Sequence, residues 1–507
     1  MKKLLLLLVL ILLPVAGFTQ QFGKNKMQYK NFDWYYIQTE HFDIYFSPGG
    51  EYIADYTASV AEDALSRMQK EFKYQITNRI PLVVYNSHND FQQTNVIAEY
   101  MEEGVGGVTE LFKNRVVVPF EGNYKQFDHV IRHELIHAFI NDMFYGGSIQ
   151  SIISNNITLQ IPLWMNEGLA EYFSLDGWDT NSDMFIRDAT ISEYLPPINY
   201  LGGYFAYRGG QSVWWYIAEK YGREKISEIL QRIRTMRSVE QGFKSSIGLS
   251  LEELSERWTR EQKILYWPDI AKREDPAIMA KRLTDHKKDN NFYNTSPAIS
   301  PKGDKLAFIS DRNDYFDVYV MSTTDPKEYE KVVDGQRTKD FEELHLLTPG
   351  ITWSPDGEKI ALAVKSGERD AIFLVDIKSG DEEKIKFDLE GIFSVHWSPK
   401  GDKLTFVGNS ARQSDIYVYD LKTKTLSNIT NDIFSDQDPT FGPDGETIYF
   451  ASDRGDYITP LPENQHFRIY NHNTNQYDIY SVNINDKKIK RLNNDPESDE
   501  GSVVVSS

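Results

Sequence analysis

The stretch Arg132-His133-Glu134-Leu135-Ile136-His137 carries the most legible chemistry of this chain. Two histidines four positions apart fall one turn apart on one helix face, so both imidazoles can reach a single zinc ion. Glu134 stands beside them, placed to take a proton from a water on that ion. The element that must carry these residues is a helix, because Val130, Ile131, Leu135, Ile136, Phe139 and Ile140 recur with helical spacing within Phe127–Phe144. With ten histidines in the chain such a pattern can arise by chance, so a second motif has to bear on the same site.

That motif is Pro162-Leu163-Trp164-Met165-Asn166-Glu167-Gly168-Leu169-Ala170-Glu171-Tyr172, a second helix with a proline in its first turn. After His137 the next histidine is His286, and Ile140 and Met143 stand where a metzincin needs glycine and histidine. A catalytic zinc takes three protein ligands and keeps one position open. A carboxylate is then the remaining candidate for the third ligand, and Glu167 fits that need.

Together HELIH and WMNEGLAEY resemble the gluzincins, thermolysin-like and aminopeptidase-like zinc peptidases in which a Glu on a downstream helix completes the motif. The resemblance implies His133, His137 and Glu167 as zinc ligands, Glu134 as general base, and Glu171 as the hydrogen-bond partner of a ligand histidine. It also implies a Tyr or His that stabilises the oxyanion. No histidine follows in reach, so the pool is Tyr200–Tyr207, with Tyr204 and Tyr207 as candidates. In such peptidases the strand ahead of the metal helix is a sheet edge that pairs with extended substrate, which points to Val116, Val117 and Val118; Pro119 suits an edge. Glu103 and Glu110 flank Gly104-Val105-Gly106-Gly107, only a loose likeness to the loop that anchors a substrate N-terminus in aminopeptidases, so an endopeptidase is slightly favoured.

Around this site the chain reads in blocks. Lys2 and Lys3 precede an apolar run from Leu4 to Val15, the pattern of a secretory signal peptide over residues 1–20, and the run is too short to span a membrane. The chain has no cysteine, which excludes disulfides and a lipid anchor on an N-terminal Cys, and suits export to a bacterial periplasm or beyond. A formal charge of −20 argues against nucleic acid and anionic membrane surfaces as partners. Residues 21–123 read as a β-rich lobe with one helix, and 124–268 as a helical lobe in which Trp214, Trp215 and Trp258 belong to the core. Residues 269–291 are charged and poor in large apolar side chains, as a linker would be.

From residue 292 to 507 one motif occurs four times, from Ser300-Pro301-Lys302-Gly303 through Ser354-Pro355-Asp356-Gly357 and Ser398-Pro399-Lys400-Gly401 to Gly442-Pro443-Asp444-Gly445. The prolines lie 54, 44 and 44 residues apart, a blade-length period, and each turn feeds an apolar strand. The repeats resemble those of TolB-like propellers, which implies six or more blades. Ser502-Val503-Val504 lines up with Ser394-Val395-His396, so a fifth copy is expected to begin at the end, and the chain is expected to be a fragment or unusually truncated.

The expected fold is therefore multidomain, an α+β gluzincin-like metallopeptidase domain over 21–268 followed by an all-β propeller with about four, incomplete, blades. The expected function is a zinc-dependent peptidase acting on a peptide or protein substrate, with the propeller as a docking or gating module. The alternative is a non-catalytic envelope scaffold whose propeller binds a protein partner; Glu134 discriminates, since a structural zinc site has no use for a base. A serine peptidase of the tricorn or prolyl-oligopeptidase kind lacks a Gly-x-Ser-x-Gly elbow here.

Overall fold

The computed structural model describes residues 26–97, 101–146, 159–348, 350–459 and 467–505; the expected signal peptide lies outside them. No helix among the described residues is long and apolar enough to cross a membrane. A helical N-terminal domain with one mixed sheet is followed by a region of four separate antiparallel sheets.

The N-terminal sheet has the order β1-β2-β3-β5-β4, from Tyr35–Gln38, Phe42–Phe46, Ile80–Tyr85, Val116–Pro119 and Val108–Thr109. Strands β2, β3 and β5 run parallel, and β4 closes the sheet antiparallel to β5. Val116–Pro119 is thus an interior strand, and the expectation that it forms the substrate-pairing edge is corrected. All four residues of β5 are buried, as a near-continuous apolar run in a parallel strand demands. The edge is β4, a strand of two residues.

One face of the sheet carries α1 (Glu51–Phe72) and α3 (Tyr124–Tyr145); α2 is the short turn His88–Phe91. Helix α3 starts where the Asn123 side chain accepts from Gln126 N at 2.9 Å, and ends at Gly146, whose φ of 74° suits glycine. From His133 to Ile140 every residue of α3 is buried, because the sheet, α1 and α4 (Leu163–Ser174) enclose it. The helical lobe continues with α5 (Thr180–Ile191), α6 (Tyr204–Tyr221), α7 (Glu224–Met236), α8 (Val239–Ile247) and α9 (Leu251–Ile270). Trp214 and Trp258 are fully buried there, donating to Met165 O and Ser212 Oγ, while Trp215 stacks on Trp178.

Each of the four later sheets is a blade of four antiparallel strands, within residues 294–333, 351–386, 391–428 and 436–491, with the short strand Glu343–Leu344 added to the second. Their apolar clusters lie between successive blades. The fourfold turn has one physical design. Gly303, Gly357, Gly401 and Gly445 take φ of 70–75°, which a side chain would oppose. In the first three copies the serine oxygen accepts the backbone N–H of Lys305, Lys359 or Lys403 at 2.9–3.0 Å. The inner strands of blades one, three and four are bulged at Ser296, Ser394 and Asp438, each left-handed at φ 50–52°. Ser502 repeats that conformation at φ 53° and bonds Asp438, as the alignment with Ser394 leads one to expect.

The two halves are joined by polar and apolar contacts. Ile433, Phe434 and Ile469 of the propeller enter the N-terminal core. Tyr124, the first residue of α3, donates its N–H to Ser435 Oγ, and Ser414 Oγ donates to Gly122 O. Between the halves lies a cavity of about 510 Å³ whose walls include Glu103, His345, Asp370 and Asn409.

Candidate metal centre

Two i, i+4 pairs face each other across the contact of α3 with α4: His133 and His137 on one helix, Glu167 and Glu171 on the other. His133 Nε2 and His137 Nε2 are 3.1 Å apart, and Glu167 Oε2 lies 3.3 Å from the first and 3.2 Å from the second. A tetrahedral ion with bonds of 2.0–2.1 Å holds its ligands about 3.4 Å apart, so this triangle of donors has the dimensions of a metal site. Two imidazoles and a carboxylate are also a donor set that leaves one of four positions open.

Glu171 acts on the other side of the ring, with Oε1 3.1 Å from His133 Nδ1. His129 Nε2 stands 3.7 Å from the same Oε1, and the second oxygen accepts from Arg208 Nη1 at 2.6 Å. Burial alone would push both carboxyls up. The imidazoles of His133 and His137 outweigh it at Glu167, which is held well below the usual carboxylate range. At Glu171, His133 and then His129 and Arg208 outweigh it, and its pKa falls to about 2. Burial likewise opposes a charge on His133, but Glu167 and Glu171 push that ring up to about 10. The pocket thus demands positive charge between the two helices, which a proton or a metal ion supplies.

Glu134 is 6 % exposed, and its Oε2 accepts from Thr109 Oγ1 at 2.7 Å. Thr109 belongs to the edge strand β4, and sequence reasoning did not find it because a two-residue strand has no periodicity to read. The strand comes this close because Gly107 has no side chain; a Cβ there would sit 2.7 Å from Glu134 Cγ.

The two tyrosine candidates part company. Tyr207 lies against His133 with ring centroids 6.0 Å apart and planes at 18°, and burial together with Glu167, Glu134 and Glu171 pushes its hydroxyl pKa up. Tyr204 is 55 % exposed, packs edge-on against Phe185 and accepts from Arg208 Nε at 2.9 Å. As the exposed first residue of α6 it lies beyond the reach of the metal triangle, so Tyr204 is corrected to a partner of Arg208. What brings α6 near enough for Tyr207 and Arg208 to reach the site is a glycine contact, because a Cβ on Gly168 would fall 2.2 Å from the Gly210 carbonyl carbon.

Two further side chains were missed. His129 lies one turn before His133 on the same face of α3, so the i, i+4 spacing upstream of the motif carries its signal. Arg208 adjoins the tyrosine pool and carried no motif. Glu103 and Glu110 both have protein partners, His345 with two backbone N–H groups and Arg115 respectively, so neither is a free anchor for a substrate amine.

Residues 60–263 match the Peptidase MA superfamily. Residues 333–459 match the TolB beta propeller domain, so the chain carries a Peptidase MA superfamily domain followed by a TolB-type propeller. Over 79 residues it is 37 % identical to the uncharacterized peptidase YuxL of Bacillus subtilis, covering 15 % of this chain and 10 % of that protein. Among solved structures it is similar to TolB from Acinetobacter baumannii, 18 % identical with a TM-score of 0.29, covering 39 % of this chain and 43 % of the other. A putative TolB from Agrobacterium tumefaciens is 23 % identical with a TM-score of 0.32, covering 40 % and 63 %. The chain thus spans about a tenth of the curated relative and less than two thirds of these structures.

Proposed function

We propose that the protein is an exported zinc-dependent peptidase of gluzincin type, with His133, His137 and Glu167 as metal ligands and Glu134 as general base. The observation that carries this reading is the metal-sized triangle of two imidazoles and a carboxylate with a buried glutamate beside it, inside the segment that matches the Peptidase MA superfamily. Zinc held there supplies Lewis acidity and lowers the pKa of water towards ~7.

The protein's own groups do the rest. Glu134 takes the proton of the attacking water and returns it to the leaving amine, while Thr109 fixes one of its oxygens so that the other handles the proton. Tyr207 donates to the oxyanion. Glu171, itself held by Arg208, fixes the tautomer and orientation of His133. The free edge of β4 pairs with the backbone of an extended peptide. The substrate is a peptide or protein, and the propeller docks or gates it.

The test compares wild type with Glu134→Gln for metal content and for hydrolysis of a broad peptide library. One zinc per chain in both proteins is expected, with hydrolysis lowered in the variant by about a thousandfold or more. Zinc bound without hydrolysis in either protein would sink the peptidase reading and leave a scaffold whose propeller holds a partner.

A further inference from the structure

The Gly-rich segment between Glu103 and Thr109 is held by the propeller at one end and by the metal helix at the other. At its start the Glu103 carboxylate accepts the backbone N–H of Leu346 at 2.5 Å and of Leu347 at 3.3 Å, and lies 3.6 Å from His345 Nδ1. His345 Nε2 is 3.3 Å from Asp370, which also accepts Ile392 N at 2.8 Å and Asn89 Nδ2 at 2.9 Å. Gln92 adds a second grip, donating to Met101 O at 2.8 Å and to Glu343 Oε2 at 2.9 Å. At its other end Gly107 rests on Glu134, and Thr109 bonds that carboxylate.

Between these ends Gly104, Gly106 and Gly107 offer no side chains for packing, and Val105 and Val108 are only partly buried. Beyond them β4 pairs with β5 over only Val108 and Thr109, so the position of the segment rests on this short pairing and on the grip at Glu103. Burial opposes a charge on His345, while Asp370 and then Glu103 favour it, so the tether is a buried imidazole held between two carboxylates at 3.3 and 3.6 Å. Such a contact is strong while complete, and breaking it leaves uncompensated charge inside.

We propose that Glu103 is a positioning residue through which the propeller sets the place of the edge strand β4 and, through Thr109, of the Glu134 carboxylate. The propeller is then part of the active-site frame as well as a docking surface. The kinetic consequence rests on the peptidase reading; the mechanical one does not.

The experiment uses the full chain and measures amide hydrogen exchange over residues 104–111, metal content, melting temperature and peptide hydrolysis in wild type, Glu103→Ala and His345→Gln. In Glu103→Ala, exchange over 104–109 should rise at least tenfold while that of α3 and metal content stay as in wild type. The value of kcat/KM should fall roughly tenfold to a hundredfold, because misplacement of about 1 Å at the base costs that much. His345→Gln keeps both N–H donors to Glu103 and should give a smaller change in the same direction. Unchanged exchange over 104–109 overturns the tether whether or not the protein hydrolyses peptides. Faster exchange with unchanged hydrolysis overturns the link to Glu134. A wild type that binds zinc and cleaves nothing overturns the peptidase reading, and the exchange arm still decides the tether.

Discussion

In the peptidase half, the half-buried Glu167 and the buried Glu171 lie against three imidazoles and an arginine, and both are held charged with pKa values below the ordinary range. In the propeller, Asp453 is buried as well, but it accepts the N–H of Ser435 and leaves its second oxygen without a partner among the described residues. There burial wins, and the pKa rises to about 7. The same residue class thus serves two ends. Where imidazoles must be oriented, the acid is kept ionised by cations on several sides. Where the ends of two strands of one blade are joined, a backbone hydrogen bond suffices, and the acid can carry a proton without loss of the contact.

The largest expected effect that sharpens this contrast is at the metal triangle. His133→Ala removes the ring that both carboxylates address, and stoichiometric zinc should be lost together with all hydrolysis, as metal analysis of the purified protein would reveal. Glu171→Gln keeps the shape and removes the charge, so zinc affinity should fall about 10- to 100-fold by competition with a chelator. An unchanged affinity would mean that Glu171 serves only Arg208 and the α4–α6 contact. Next, Tyr207→Phe should lower kcat by about tenfold or more with KM little changed, while Tyr204→Phe stays within about twofold, since only the first lies against His133. The reverse order would return Tyr204 to the site.

The smallest effect concerns pH. Asp453 has a folded pKa above its unfolded value, so the stability it contributes is full below pH 3.8 and is lost as pH rises through about 7. Glu171 has the opposite sign: its contribution is full above pH 4.5 and is lost as pH falls towards about 2. Asp453→Asn should therefore raise the melting temperature at pH 8 by a few degrees and change it little at pH 4, where the aspartic acid is already protonated in the fold. A gain at pH 4 as large as that at pH 8 would show that packing, and not charge burial, sets the cost.

Much of the architecture was legible in the chain because it rests on local periodicity. The helical spacing around His133 gave α3, the proline and Asn-Glu run gave α4, and four Pro-x-Gly turns at blade length gave the four sheets. The turn repeats are readable because glycine at φ near 70° is a local steric requirement that the sequence has to meet each time. Less legible is the start of α6 at Tyr204, because the glycine pair Gly209-Gly210 breaks the apolar pattern of its first turns.

By itself the sequence determined residue types and spacings: which side chains can lie one turn apart on α3 and on α4, and where each blade turns. Only the tertiary structure decided which elements meet. The edge of the sheet went to β4 because two residues suffice to cover β5, and no pattern of two residues can be read in advance. Tyr207 rather than Tyr204 came to His133 because the close approach of Gly168 to Gly210 fixes the rotation of α6. Glu103 found His345 across 242 positions of chain, a contact made by the docking of two domains and by nothing local to either residue.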